Sequence, residues 1–170
     1  MARNYYALWY WDPETGTYLP NPSSEFAYFK SDENLMMVTS SLQNKLAISL
    51  YVYSEMFMVS KNGGAIVRPL FFDFSDDDNT LNDMESTFML GESLMVAPLL
   101  KDATAYTVYF PRGKWVNINN HKDIIDVGAQ GSSATLKPFQ TYTNVYLKEG
   151  RIVPYQQNKK LVKTTSDFRS

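Results

Sequence analysis

A chain of 170 residues with a net charge of −2 and no cysteine is long enough for one large domain, or for one small domain plus a helical extension. The missing cysteines exclude a disulfide framework and a thiolate metal site, and the near-balanced charge without a long basic run argues against nucleic acid as a partner. A hydrophobic fraction of 44% against 20% charged fits a globular chain, and no apolar run reaches the roughly 20 residues that span a bilayer.

The N-terminus M-A-R-N-Y-Y lacks the apolar core of a signal peptide, so the sequence assigns no compartment. Residues 1–30 are aromatic and rich in turn signals, Asp12-Pro13-Glu14-Thr15-Gly16 and Pro20-Asn21-Pro22, and read as a long loop. Residues 32–62 read as a helix. Ser31 or Asp32 starts it, with Asp32 and Glu33 at its positive dipole end. Leu35, Val38, Leu42, Leu46, Tyr53 and Phe57 fall largely at spacings of three and four. Ile48, Leu50, Tyr51 and Val52 widen that stripe almost to a full circle, the pattern of a helix with neighbours on several sides. A break near Ser49 is compatible with this pattern. Asn62-Gly63-Gly64 supplies the left-handed stop.

From Ala65 the pattern changes to short strands, expected at 65–74, 93–100, 105–110, 114–118, 133–137, 143–147 and 151–154. Gly, Pro, Asn and Asp clusters separate them, as in an antiparallel sandwich. Pro111-Arg112-Gly113 reads as a hairpin turn between 108–110 and 114–116. Lys159, Lys160 and Lys163 read as a solvated tail. The fold class is therefore α+β: an N-terminal loop and long helix, followed by an antiparallel β-sandwich.

The residues offer little chemistry. His121 is the only histidine, and no G-x-S-x-G elbow accompanies it; with Asp123 and Asp126 nearby it reads as an exposed loop residue. One imidazole builds no multi-histidine metal site. The run Asp76-Asp77-Asp78-Asn79 lacks the glycine and terminal glutamate of a calcium loop and reads as a solvated turn. Gly63-Gly64 follows a helix instead of opening one, so it cradles no phosphate. Of the carboxylates, Asp73, Asp83, Glu85 and Glu92 are the candidates for a hydrolytic pair, yet none has a sugar-site neighbourhood in sequence. The residues by themselves assign no catalytic group, no metal and no cofactor.

Four blocks in fixed order carry a resemblance: V-R-P-L-F-F-D-F at 67–74, F-M-L-G-E-S-L-M-V-A-P at 88–98, Y-F-P-R-G-K-W at 109–115 and V-Y-L-K-E-G-R-I-V-P at 145–154. Together they resemble glycoside hydrolase family 31, the α-glucosidases and their relatives. The segment N-K-L-A-I-S-L-Y-V-Y-S-E-M-F at 44–57 resembles the family's helix before these strands, with Lys45 in the place of an arginine and Leu50 in the place of a proline. The resemblance implies that residues 1–63 correspond to the end of a (β/α)₈ barrel, 64–158 to the β-sandwich after it, and 159–170 to a tail or the start of a further strand. The family's nucleophile lies in a W-x-D-M-N-E type motif and its acid/base aspartate further on; neither motif occurs in this sequence. The family's R-N-H substrate contact aligns with Arg3-Asn4-Tyr5, which makes Tyr5 the one substrate-binding candidate.

Three readings stay open at this point. The first is the C-terminal part of a glycosidase, inactive alone, whose partners are an oligosaccharide or the missing barrel portion. The second is a non-catalytic β-sandwich that binds carbohydrate or a protein, suggested by the aromatics Trp9, Tyr10, Trp11, Tyr18 and Trp115. The third is a subunit that completes a barrel with another chain. The sequence leaves open whether the chain is a short natural protein or an incomplete reading of a longer gene.

Overall fold

The computed structural model describes residues 9–20, 32–82, 86–101, 103–139 and 142–156. The chain divides into two compact units, 1–44 with 140–142, and 45–139 with 143–170.

In the first unit the expected loop contains a hairpin. Strands β1 (Trp9–Asp12) and β2 (Thr17–Pro20) pair antiparallel, Asp12 opposite Thr17. The turn signals themselves close it. The Asp12 carboxylate accepts from the Glu14 N–H at 3.0 Å and the Thr15 hydroxyl at 2.7 Å, and the Gly16 N–H returns to the Asp12 carbonyl. These bonds hold the Asp12 carboxyl below its usual range, the Thr15 bond contributing most. Gly16 sits at φ 62°, a conformation glycine adopts without Cβ strain.

The expected helix 32–62 is present in two pieces, α1 (Asp32–Ala47) and α2 (Ser49–Asn62). Ile48 interrupts it with ψ near 6°, and Gln156 donates its backbone N–H to the carbonyl of Ala47. α2 ends as its glycines require: Gly63 at φ 80° returns its N–H to Val59.

The second unit is an antiparallel, sandwich-like arrangement of two sheets with a few short helices and no closed barrel. Six strands form the larger sheet in the order β3 (Val67–Pro69), β4 (Phe88–Leu90), β5 (Leu94–Ala97), β10 (Asn144–Lys148), β7 (Lys114–Asn117) and β8 (Ile124–Asp126). The smaller sheet pairs β6 (Tyr106–Phe110) with β9 (Ser132–Leu136). Period-two alternation sets the inward face. Val108, Phe110 and Leu136 reach the core from the small sheet, and Met89, Met95, Ala97, Trp115 and Tyr146 from the large one. Phe110 meets Tyr146 edge-on at 5.0 Å and Trp115 at 6.2 Å, geometries that add to the burial gain.

Several expectations need correction. The strand expected at 65–74 runs only over 67–69; after Pro69 the chain turns into α3 (Leu70–Asp73), which sends Leu70 into the core, followed by the buried Phe74. Strands β4 and β8 were not anticipated, because three residues are too few for a periodic signal. Residues 151–154 form no strand. Pro111-Arg112-Gly113 joins no hairpin: β6 pairs with β9, and β7 with β8 and β10. The three residues carry the chain from one sheet to the other. The Pro111 carbonyl accepts the Trp115 indole N–H at 2.8 Å instead of a ladder bond. Gly113, at φ 111°, exchanges hydrogen bonds with Gly128 and Val127.

Candidate functional site

The residues singled out in the sequence do not converge. Tyr5, Asp83 and Glu85 lie outside the described residues. Asp73 is engaged by Arg68, whose Nε and Nη2 reach the two carboxylate oxygens at 3.1 and 3.0 Å. Burial raises the Asp73 carboxyl above its usual range, and Arg68 opposes that shift. Arg68 is itself buried and gives a further bond to the carbonyl of Gly91 at 2.9 Å. It holds α3 against the β4–β5 turn, which is a structural task. Glu92 pairs with Arg151 at the surface. His121 is exposed on the β7–β8 loop. Asp123 accepts from Asn117 at 3.1 Å and from Tyr146 at 2.9 Å, so it orients no imidazole through that oxygen.

The acidic run is likewise committed. Asp76 pairs with Arg112, which lowers its carboxyl pKa. Asp77 caps a 3-10 turn at Asp78–Leu81 through the Asn79 N–H and takes the Tyr109 hydroxyl at 2.6 Å. Burial first, then that bond to Asp77, pushes the Tyr109 phenol up to about 12. Among the described residues no group of three or more His, Cys, Asp or Glu is placed to hold a metal ion. No helix among them is long and apolar enough to cross a membrane.

Two polar clusters escaped the sequence reading. In the first, Asn117 donates to Asn144, and Asn144 donates to Tyr106 and to the Lys137 carbonyl, all within 2.9–3.1 Å. Tyr106 closes the chain on the Ala97 carbonyl at 2.7 Å. Both asparagines face inward, so each amide must find protein partners. In the second, Tyr51 of α2 donates to the Leu90 carbonyl at 2.8 Å and accepts the Ser93 N–H at 3.0 Å. This ties α2 to the β4–β5 turn. Gly91 between them leaves no room for a side chain: a Cβ there would strike the Tyr51 hydroxyl and come within 2.6 Å of Glu55.

An open concavity with charged walls lies at the β6–β7 corner. It encloses about 410 Å³ between Arg112, Lys114, Asp126, Ala129, Lys148 and Glu149. Lys114 and Asp126 face each other across β7 and β8 and pair at 2.9 Å. Lys148 stands over the buried Phe74 ring at 4.3 Å, with Arg112 over the same ring at 6.0 Å. Burial and the neighbouring Arg151 lower the Lys148 pKa. The period-two signal for this lysine was present: 144, 146 and 148 share the inward parity of β10. Such walls offer hydrogen bonds to a polar ligand but no exposed ring for a sugar face. Trp115, a proposed sugar platform, is fully buried and bonded to Pro111, which removes it from that role.

Comparison with known proteins gives a consistent picture. The sequence profile described as "Glycosyl hydrolase family 31 C-terminal domain" matches residues 63–153. An alpha-glucosidase of Saccharolobus solfataricus is 32% identical over 119 residues, which covers 70% of this chain and 16% of that protein. An alpha-xylosidase of Lactiplantibacillus pentosus is 34% identical over 92 residues, covering 54% of this chain and 12% of the relative. Among solved structures, the family 31 dextranase of Flavobacterium johnsoniae, complexed with glucose, superposes with a TM-score of 0.71 at 24% identity, over 79% of this chain and 16% of that one. The cycloalternan-forming enzyme of Listeria monocytogenes, in complex with a pentasaccharide substrate, gives 0.70 at 25% identity, over 81% and 13%. The chain thus spans about a sixth or less of the length of these relatives.

Proposed function

This chain belongs to glycosyl hydrolase family 31, and from that premise we propose that it is the C-terminal part of an α-glucosidase-like hydrolase that cleaves no glycosidic bond by itself. In this reading residues 1–63 are the end of the catalytic barrel, 64–158 the β-sandwich behind it, and 159–170 the tail or the start of a further strand. The supporting observation is the engagement of the described candidate carboxylates. Retaining hydrolysis places two free carboxyl groups roughly 5–5.5 Å apart around the scissile bond. Asp73 is instead held by Arg68, and Glu92 by Arg151. The W-x-D-M-N-E type motif is also missing from the sequence. The partner is then the barrel portion that carries the reacting aspartates, with an oligosaccharide as its substrate. Tyr5 keeps the place of the family's sugar-contacting histidine, as a hydrogen-bond donor or stacking ring.

The test is direct. Purified chain is incubated with maltose and with a nitrophenyl α-glucoside, and no release of glucose or nitrophenol above buffer is expected. Turnover that scales with chain concentration and survives repurification overturns the reading. The second reading, a carbohydrate-binding module, draws on the charged corner cleft. Saturable quenching of tryptophan fluorescence by maltose or isomaltose, lost in Arg112→Ala, decides in its favour; no response removes it.

A further inference from the structure

The corner cleft has Arg112, Lys114 and Lys148 in its walls, and these cations are not equally engaged. Arg112 pairs with Asp76, and Lys114 pairs with Asp126. Lys148 makes no ion pair among the described residues. Its Nζ stands 4.3 Å from the centre of the Phe74 ring, and the Arg112 Cζ lies 6.0 Å from the same centre. A ring face attracts a cation, and here one ring draws two. The crowding of like charge is felt at Lys148. Burial lowers its pKa most, Arg151 and Arg112 add to that, and Asp73 and Glu149 oppose it.

The carboxylates of the walls are placed differently. Asp126 is taken by the Lys114 ammonium at 2.9 Å and by the Gly128 N–H at 3.2 Å. Glu149 is exposed and lies along Gly113, its Oε1 2.7 Å from where a Cβ on that glycine would be. Counted with Asp76, the cations and carboxylates of the cleft balance, so net charge alone draws no anion there. What the cleft offers is a pair of cations over Phe74 and, in the same walls, a carboxylate whose oxygens accept hydrogen bonds.

These features select a class of ligand. A volume of about 410 Å³ lies within the roughly 300–1,000 Å³ of small-molecule sites. No aromatic residue lines the cleft, so a neutral sugar finds no face to stack on. An ammonium and a guanidinium together hold an oxyanion through charge-assisted hydrogen bonds. An ionised carboxylate only accepts, so Glu149 suits a hydroxyl and repels a bare anion.

We propose that the corner cleft binds a small hydroxylated oxyanion of the sugar-phosphate class, with Lys148 and Arg112 on the anionic group and Glu149 accepting from a neighbouring hydroxyl. Lys148 carries most of the affinity, because Arg112 already holds Asp76. The proposal rests on the carbohydrate-module reading only for the place of the site, and it replaces the neutral ligand by an anionic one. It is independent of catalysis, so a chain found to hydrolyse a glucoside leaves it standing.

Amide NMR on the full chain tests this with glucose 6-phosphate, inorganic phosphate and glucose as probes. Glucose 6-phosphate gives saturable shifts confined to 112–114, 126–129 and 148–149. Inorganic phosphate moves the same amides with an affinity about threefold weaker or less, and glucose leaves them unmoved. Lys148→Gln raises the dissociation constant for glucose 6-phosphate about tenfold or more and leaves the near-ultraviolet circular dichroism unchanged. Lys101→Gln, at an exposed lysine outside the cleft, leaves binding as it was. Glu149→Ala removes both the acceptor and the repulsion, so the preference for the sugar phosphate over phosphate falls. Should Lys148→Gln disturb the fold, Arg112→Gln, at an exposed side chain, decides in its place by the same loss of affinity. Shifts absent from the cleft or scattered over surface lysines overturn the proposal, as does binding indifferent to these substitutions or phosphate binding as tightly as the sugar phosphate. A response to glucose or maltose without one to glucose 6-phosphate also overturns it, while upholding the neutral-sugar module.

Discussion

The same aromatic chemistry stands in two opposite situations in the second unit. Phe110, Trp115 and Tyr146 are fully enclosed between the two sheets, while Tyr53 and Phe57 project from α2 into solvent. Residue type does not separate the two sets; topology does. The inward rings come from strands of both sheets and bury one another, so the sandwich supplies its own partners. The outward rings sit on a helix that Tyr51, on the other side, bonds to the β4–β5 turn. A module can therefore be complete as a core and incomplete as a surface. The chain covers about a sixth of the length of its relatives.

The largest effect should come from opening the complete side. Trp115→Ala removes the ring packed against Phe110 and Phe74 at 6.2 Å each and leaves the buried Pro111 carbonyl without its indole donor. A loss of about 3–5 kcal/mol in urea unfolding is expected. A loss under about 1 kcal/mol would mean that the two sheets do not share this core.

Gly91→Ala strikes the joint between the two regions. The position combines φ 62° with a Cβ aimed at the Tyr51 hydroxyl, so the variant must strain its backbone and displace α2. About 2 kcal/mol is expected, with a distinctive signature. Amide hydrogen exchange should accelerate throughout α2, while β7 and β10 keep their protection. Uniform acceleration across both would show that helix and sheets unfold as one unit.

These two sites also mark how far the sequence could be read. Alternation in 106–110, 114–117 and 144–148 exposed the sandwich, because each of those strands buries one face. The helix around 32–62 was legible from its three-and-four spacing, although the stripe that spacing marks, with Leu46, Tyr53 and Phe57, is exposed. What failed was local. Pro-Arg-Gly reads alike as a hairpin or a sheet-to-sheet corner, since the choice rests on distant pairing with β9 and β10. The turn at 12–16 was visible, but its hairpin was masked by the surrounding loop signals. Three-residue strands such as Phe88–Leu90 leave no period to detect. The polar clusters were invisible because an inward Asn117 has meaning only once Asn144 stands beside it. Candidate carboxylates failed for a related reason: Arg68 lies five residues before Asp73, and only the turn after Pro69 brings them together.

A smaller effect tests the rim of the small sheet. The Tyr109 phenol is raised to about 12 in the folded chain, above its ordinary value near 10. A group raised on folding binds its proton more tightly in the native state. Its contribution is therefore complete below pH 10 and is lost as pH rises toward about 12. Tyr109→Phe should lower stability by about 1 kcal/mol at neutral pH through loss of the bond to Asp77, and should make the decline between pH 10 and 12 shallower. Part of the decline should persist, because burial also raises the phenols of Tyr51, Tyr106 and Tyr146. An unchanged alkaline slope in the variant would place the titrating group elsewhere.

The smallest effect is the most discriminating, because it concerns a large aromatic whose removal should hardly be felt in the monomer. Tyr53→Ser takes away a side chain that is mostly exposed, so in dilute solution its unfolding free energy should stay within about 0.5 kcal/mol of the parent chain. Serine and tyrosine have nearly equal helix propensities, so the backbone adds little to the difference. Trp115→Ala, by contrast, should show its full deficit in the same dilute solution, because its partners lie within the same sandwich. Unfolding of both variants in dilute solution therefore reads the two regions separately. A Tyr53→Ser gap that is large when dilute would mean that α2's outward face is buried within the single chain, and the contrast between a complete core and an incomplete surface would fall.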